Sequence, residues 1–313
     1  MSIPTLGLVG VGKIARDQHL PSIAETGTFR LAALVSPEGG ALDGVPTFRS
    51  QAEMLAALPD LDAVSICTPP GVRHELAAQA LRAGKHVLIE KPPAATVSEL
   101  HDLVEEARAA GRTLFTAWHS QFNGAVDAAK ERLAGARVRR VTVDWKEDVR
   151  RWHPGQEWIW QAGGFGVFDP GINALSILTR ILPGKLFVRE AELLFPENRD
   201  TPIAVTLAMS GAAGSSVGPV EAVFDFRQEG EQTWTIAIET DDGTRMELTH
   251  GGTRLFIDGA AVLAEPDTEY RRIYRRFGRL VEEGAMDVDA APLHLVADAY
   301  SVGRRRATAA FHW

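Results

Sequence analysis

Between Trp145 and Asn173 the chain reads WKEDVRRWHPGQEWIWQAGGFGVFDPGIN, and this stretch holds four of the seven tryptophans. Among them stand Glu147, His153, Asp169 and Asn173. Aromatic walls with a few convergent polar groups suit a pocket for a small polar ligand. Indoles stack on the C–H faces of a sugar, while carboxylates and amides hydrogen-bond its hydroxyls. The plainer reading is a loop pinned to the core by tryptophans. A second chemistry-bearing group opens the chain, Gly10-Val-Gly12-Lys-Ile-Ala15. It is a G-x-G-x-x-A run between an apolar strand, Leu6–Gly10, and a helical pattern. Gly10 permits the tight turn, Gly12 lets backbone N–H groups approach a pyrophosphate, and Ala15 lets helix and strand pack closely. A third is Glu90-Lys91-Pro92, a lysine at a strand's carboxyl end held by the proline after it. A cis bond before such a proline occurs at about 5–6% frequency and cannot be read from composition.

The elements that must position these groups alternate regularly. Strands are expected at Leu31–Val35, Ala63–Cys67, His86–Ile89 and Thr113–Ala117. Helices are expected at Gln51–Leu58, at Val72–Ala83 with Gly84 as its C-cap, and at Thr96–Ala110, bracketed by Ser98 and Gly111. Alternating β and α units predict a doubly wound parallel sheet, with the ligand off the carboxyl ends of its strands. Those ends carry Gly10–Gly12, Ser36, Thr68-Pro69-Pro70, Glu90-Lys91-Pro92 and Trp118-His119. At the end of the second strand an acidic residue favours NAD, whereas a small residue with a nearby arginine accommodates NADP. Here the run is Val35-Ser36-Pro37-Glu38, with no arginine directly after it, so both cofactors stay open.

Further along, Gly124–Leu133 reads as a helix, and Val141, Val143 and Trp145 fall on one face of a strand whose parity extends to Glu147. A carboxylate on that face needs partners or a cavity rim. Asp169-Pro170 reads as the N-cap and first residue of a helix running through ALSILTRIL, so Asp169 is either a cap or a site residue. Asn173 lies about one turn on, on the same side. From Ile203 the pattern becomes an antiparallel meander, Ile203–Met209, Val220–Phe226, Trp234–Ile238, Met246–Leu248 and Leu255–Ile257. Trp234 shares a face with Ile236 and Ile238, at a strand end where core and pocket roles are both open. Helices are expected at Arg271–Glu283 and Pro292–Ala310, with Arg304-Arg305-Arg306 a solvated helix end.

Composition excludes several classes. The apolar share is 45%, the charged share 24% and the net charge −8, as in an ordinary globular protein. Without basic blocks beyond Arg304–Arg306, nucleic acid and anionic membranes are not expected partners. No apolar run approaches ~18 residues, and the N-terminus lacks the basic region of a signal peptide. The single cysteine, Cys67, allows no internal disulfide, which fits a cytoplasmic location. No close metal-ligand spacing is visible, so no metal is expected.

Three stretches, GLVGVGKIARDQHLPSI, Thr68-Pro69-Pro70 with His74, and AGKHVLIEKPPA, resemble the Gfo/Idh/MocA oxidoreductase family. WKEDVRRWHPGQEWIW and GGFGVFDPGINALSILTRILP resemble its bacterial aldose 1-dehydrogenases acting on L-arabinose and D-galactose. The likeness runs nearly end to end. It implies a Rossmann domain at 1–120, then an α/β domain at 121–313 with an open, mostly antiparallel sheet for substrate binding and dimerisation. The C-terminal helix is a candidate to pack back on the first domain. The free sheet face in such proteins mates with a copy, implying a homodimer. The resemblance also implies oxidation of a sugar at C1 to the lactone with reduction of NAD or NADP. Gly10, Gly12, Lys13, Ile14, Ser36, Thr68, Pro69, Pro70, His74, Glu90 and Lys91 would then contact the cofactor. His119, Glu147, Trp152, His153 and Trp234 would hold the sugar, with Lys91, Asp169 and Asn173 at the chemistry.

Hydride loss from C1 requires that the C1 hydroxyl also lose its proton to a base. Asp169 is favoured for this, with Lys91 donating to the oxygen; the reverse assignment stays open. L-Arabinose, D-galactose and D-fucose share the C3–C4 hydroxyl arrangement, so one pocket fits all three. The alternatives are a dehydrogenase of another aldose such as D-xylose or D-glucose, a non-catalytic NAD(P)-binding sensor, and a metal-dependent enzyme using Glu147, His153 and Asp169.

Overall fold

The computed structural model describes residues 3–39 and 42–313; Met1 and Ser2, which open the N-terminal run read above, lie outside the described residues. The chain folds as two units. One comprises the residues up to His119 together with Thr268–Ala290, the other Ser120–Asp267 and Ala291–Trp313.

In the first unit, short runs become strands, the central ones buried on both faces and the edge strand β3 only half-buried. They are β1 (Thr5–Val9), β2 (Arg30–Val35), β3 (Thr47–Phe48), β4 (Ala63–Ile66), β5 (His86–Glu90) and β6 (Leu114–Ala117). Their order is β3-β2-β1-β4-β5-β6 and every pairing is parallel. The order reverses between β1 and β4, which is where a doubly wound sheet opens its ligand crevice. Leu6, Leu8, Val64, Ile66, Val87 and Ile89 are fully buried in this core.

Local chemistry fixes the flanking helices. Val97–Ala110 starts at a capping box, Thr96 accepting from the Glu99 N–H while Glu99 accepts from the Thr96 N–H, in agreement with the expected start at Thr96. The helix after the glycine turn contains a π turn, Ala15–His19, in which the Leu20 N–H bonds the Ala15 carbonyl. Pro21 follows and has no N–H to continue an ordinary ladder, and the wider turn leaves His19 wholly buried. The returning segment brings the Glu269–Glu283 helix into this unit, burying Tyr270, Tyr274 and Phe277.

The second unit holds β7 (Val138–Lys146), β8 (Phe187–Pro196), β9 (Ala204–Ser210), β10 (Val220–Asp225), β11 (Thr233–Thr240), β12 (Arg245–Thr249), β13 (Arg254–Ile257), β14 (Ala260–Ala264) and β15 (Arg304–Thr308). Their order, β14-β13-β12-β11-β7-β10-β9-β8-β15, departs from a simple meander because β7 is inserted between β11 and β10. It runs antiparallel to β11 and parallel to β10. The sheet is thus mostly antiparallel with two parallel joins, the second between β8 and β15. Helices Gly124–Leu133, Phe168–Ile181 and Ala291–Val302 pack in this unit. Val220, Ala222, Phe224 and Phe226 form core. Gly171 has no side chain because a Cβ there would come 2.5 Å from the Phe224 ring.

The C-terminal reading needs correction. The last helix ends at Val302, and Arg304–Thr308 is an edge strand rather than a helix end. Arg306 pairs with Glu192 and Arg305 lies over the Phe195 ring, both on the neighbouring β8, so the arginines are satisfied across the sheet instead of along a helix axis. Among the described residues no helix is long and apolar enough to cross a membrane.

Candidate active site

The glycine turn sits at the end of β1, where the Gly10 N–H donates to the Val35 carbonyl (3.0 Å) and so ties the turn to the end of β2. Gly10 has φ +90°, and a Cβ there would press on Thr68 at 2.9–3.0 Å. A Cβ on Gly12, in contrast, would meet nothing within 4 Å, so the space over the turn is open. Beside it the Thr68 hydroxyl is buried without a hydrogen-bond partner. A buried hydroxyl ordinarily finds one, and a nucleotide's ribose or phosphate oxygens would supply it. Open space above a glycine turn and an orphaned hydroxyl next to it fit a dinucleotide. Lys13 is paired with Asp17, and Ile14 stands where the helix starts. His74 is turned to Asp102 of the adjacent helix (2.7 Å), and the structure does not gather it with the others.

Glu90 closes β5, Lys91 follows it, and the Lys91–Pro92 bond is cis. Behind Lys91 lies a buried polar cluster. Glu90 Oε1 takes hydrogen bonds from His19 Nε2 (2.9 Å) and the Tyr270 hydroxyl (2.7 Å), and Oε2 takes one from the Lys91 N–H (2.8 Å). His19 Nδ1 meets the Tyr274 hydroxyl at 2.7 Å. Burial opposes ionisation of Glu90, yet the His19 bond and charge, with His119 and Arg73, hold its pKa at about 2. Burial likewise opposes a charge on His19, but Cys67, Tyr274 and Glu90 outweigh it and raise its pKa well above the ordinary value. Burial and the nearby Glu90 charge drive the Tyr270 hydroxyl far up, so it stays a donor. His119 stacks on Tyr270 (5.6 Å) and bonds Glu269 through Nδ1 (2.7 Å); Glu269 raises its pKa against the effect of burial.

Sequence reasoning missed most of this cluster. It also missed Arg73, a buried guanidinium that donates to the Thr68 carbonyl (2.7 Å), the Glu90 carbonyl (3.0 Å) and the Pro92 carbonyl. Arg73 thereby fastens the Thr68 turn to the Lys91 turn. Its position beside His74 was the one available signal.

In the second unit the tryptophan-rich stretch converges on Glu147. Trp234 donates from Nε1 to Glu147 Oε2 (2.9 Å), and His153 Nε2 meets Oε1 (3.1 Å). Trp234 stacks on Trp145 (6.1 Å) and meets Trp152 at 5.0 Å, giving an aromatic wall with two half-buried members, Trp152 and Trp234. His153 Nε2 is also 3.8 Å from Asp169 Oδ2, so Glu147, His153 and Asp169 form one chain of polar groups. Glu147 and Asp169 are both buried. Asp169 is not the helix cap that Asp-Pro suggested. The helix begins at Phe168 with Val167 as N-cap, placing Asp169 in the first turn and Asn173 one turn later. The Val167 and Gly171 N–H groups bond the Pro202 and Val167 carbonyls, so backbone alone starts this helix. Among the described residues no group of three or more His, Cys, Asp or Glu side chains is arranged to hold a metal ion.

A parallel six-stranded sheet with a glycine turn at the order reversal defines a dinucleotide-binding fold. The model of the oxidoreductase family GFO_IDH_MocA, an NAD-binding Rossmann fold, matches residues 5–118. The chain is 45% identical to a galactose 1-dehydrogenase from Pseudomonas fluorescens over 98% of both chains. A solved structure of D-galactose-1-dehydrogenase from Rhizobium etli superposes with TM-score 0.93 at 52% identity, covering 100% of this chain and 99% of that one. A 3-ketoreductase from Actinomadura kijaniata, in complex with NADP and TDP-benzene, shares the fold with TM-score 0.85 at 19% identity, covering 98% and 100%. The chain belongs to the Gfo/Idh/MocA oxidoreductase family.

Proposed function

We propose that this protein oxidises D-galactose at C1 to the lactone with reduction of NAD or NADP, and accepts L-arabinose and D-fucose, which share the C3–C4 hydroxyl arrangement. What carries this reading is the end-to-end likeness to two galactose 1-dehydrogenases, at 45% and 52% identity. The polar chain Glu147–His153–Asp169 against the Trp152–Trp234 wall supports it.

In this reading the dinucleotide is held by the first unit, which takes in Thr268–Ala290 besides the expected 1–120 region, and the second unit holds the sugar and forms a homodimer in the cytoplasm. Gly10, Gly12, Lys13, Ile14, Ser36, Thr68, Pro69, Pro70 and Glu90 line the cofactor, and His74, turned to Asp102, is left out of this set. When bound, the nicotinamide supplies the acceptor for the C1 hydride. Asp169 takes the C1 hydroxyl proton as the carbonyl forms, and Lys91 donates to the same oxygen as negative charge develops on it. His119, Glu147, His153 and Asn173 hold the remaining hydroxyls, and Trp152 and Trp234 stack on the ring. Glu147 has a further task, since it orients both His153 and Trp234.

The test is an aldose panel followed at 340 nm with each cofactor, using wild type, Asp169→Ala and Lys91→Ala. D-Galactose, L-arabinose and D-fucose should turn over best, and each variant should lose at least ~100-fold in kcat, the usual scale of a positioned acid or base. Near-wild-type kcat in both variants sinks the mechanism; no absorbance gain with any aldose sinks the activity. Both cofactors should serve, and a kcat/KM preference above ~100-fold either way would refute dual use.

A further inference from the structure

The cofactor end of the first unit contains a cation that the local sequence around Ser36 does not reveal. Strands β2 and β3 pair in parallel with Leu34 opposite Thr47 and Val35 opposite Phe48. The ladder runs one step further, because the Ser36 N–H donates to the Phe48 carbonyl (2.9 Å). That is the same pattern as the Leu34 N–H on the Pro46 carbonyl (2.9 Å), and it sets Ser36 opposite Arg49. Residues opposite each other in a parallel pair project to the same face, with neighbouring strands about 4.8 Å apart. Arg49 therefore stands beside Ser36 across the sheet although it is distant in sequence. The Gly10 N–H bonds the Val35 carbonyl, so this corner adjoins the glycine turn.

We propose that Arg49, together with the Ser36 hydroxyl, binds the 2′-phosphate of NADP(H) and is the residue that admits this cofactor. The end of β2 is where the adenosine ribose meets the protein in a doubly wound sheet, and a 2′-phosphate there needs a small neighbour and a cation. Ser36 is the small neighbour and can donate a hydrogen bond. Arg49 is exposed, at the sheet edge, with a guanidinium suited to paired hydrogen bonds with phosphate. Glu38 is the opposing charge. A turn closed by the Gly39 N–H on the Ser36 carbonyl (3.0 Å) carries Pro37 and Glu38 to exposed positions. Glu53 is a second acidic group at this corner, with one oxygen accepting the Arg49 backbone N–H beside the cap of the Gln51–Ala57 helix.

This inference rests on dinucleotide binding by the first unit and not on the identity of the sugar. The experiment is a fluorescence titration with NADPH and with NADH, without sugar, on wild type, Arg49→Ala and Arg49→Gln. Each variant should weaken NADPH binding by ~10-fold or more, the scale of one charge-assisted hydrogen bond. NADH affinity should stay within about 2-fold, and raising salt should narrow the NADPH difference. Equal weakening of both cofactors would make Arg49 merely structural, and no change in either would overturn the proposal. Failure of either dinucleotide to bind wild type would instead overturn the underlying reading of the first unit.

Discussion

Glu90→Gln removes one negative charge from a site built around it. The carboxylate has donors on both oxygens, from His19, Tyr270 and the Lys91 N–H. Its pKa falls from the ordinary 4.5 to about 2 despite burial, which opposes ionisation, because the His19 bond and charge prevail. A folded-state pKa below the unfolded one gives stability that is present above the unfolded value and lost as pH falls through the folded value. The span is roughly 2.5 units, worth on the order of 3 kcal/mol at about 1.4 kcal/mol per unit. His19 shows the opposite sign. Its folded pKa is raised, so its contribution is whole below the ordinary value of 6.5 and lost as pH rises through the folded one. The two describe one pair and are not summed. Glutamine keeps the shape and one acceptor but leaves His19 without a counter-charge. Urea unfolding at pH 7 should show the variant less stable by about 2–3 kcal/mol with an unchanged slope on denaturant. The wild type's loss of stability below pH 4.5 should be shallower in the variant. A variant within ~0.5 kcal/mol of wild type at neutral pH, with a parallel pH curve, would refute the assignment of stabilising charge to Glu90.

Trp234→Phe keeps an aromatic ring but deletes the pyrrole half of the indole, and with it the N–H that binds Glu147. A hydrogen bond to a buried carboxylate is lost, so stability should fall by about 1.5–3 kcal/mol in chemical denaturation, and the sugar's KM should rise while cofactor affinity holds. Unchanged KM would remove Trp234 from the pocket. Gly171→Ala drives a methyl to within 2.5 Å of Phe224, so thermal melting should show an overpacking loss of about 1–3 kcal/mol. An unaltered melt would mean that the helix moves off the sheet freely.

The parts legible in the sequence are those whose signals are local. β1 and β4 are buried on both faces and read as unbroken apolar runs, while Val141, Val143 and Trp145 alternate as a half-buried strand must. β8 escaped notice because a register shift between Val188 and Glu190 breaks its alternation. The alanines of the exposed β14 read more like helix than edge strand. The three arginines of β15 resemble a helix end, but charge on an exposed strand also blunts edge-to-edge pairing. In the site, Glu147 was found through parity. For Asp169 the sequence left cap and site roles both open because Asp-Pro usually caps, and the structure removes the cap role, since this helix starts two residues earlier. The His19–Glu90–Tyr270–Tyr274 cluster joins positions up to 255 residues apart, and no window along the chain can register such a meeting.

The return of Thr268–Ala290 to the first unit constrains how the protein is made. A ribosome releasing only the first 119 residues exposes a sheet that lacks Tyr270, Tyr274 and Phe277, with Glu90 and His19 not yet covered. The second unit is also unfinished until Arg304–Thr308 pairs with Phe187–Pro196. Domains commonly fold one after another during synthesis, N-terminal first. Here the first unit needs residues up to Ala290 and the second residues up to Thr308, so a nascent chain stalled before residue 268 holds two incomplete cores.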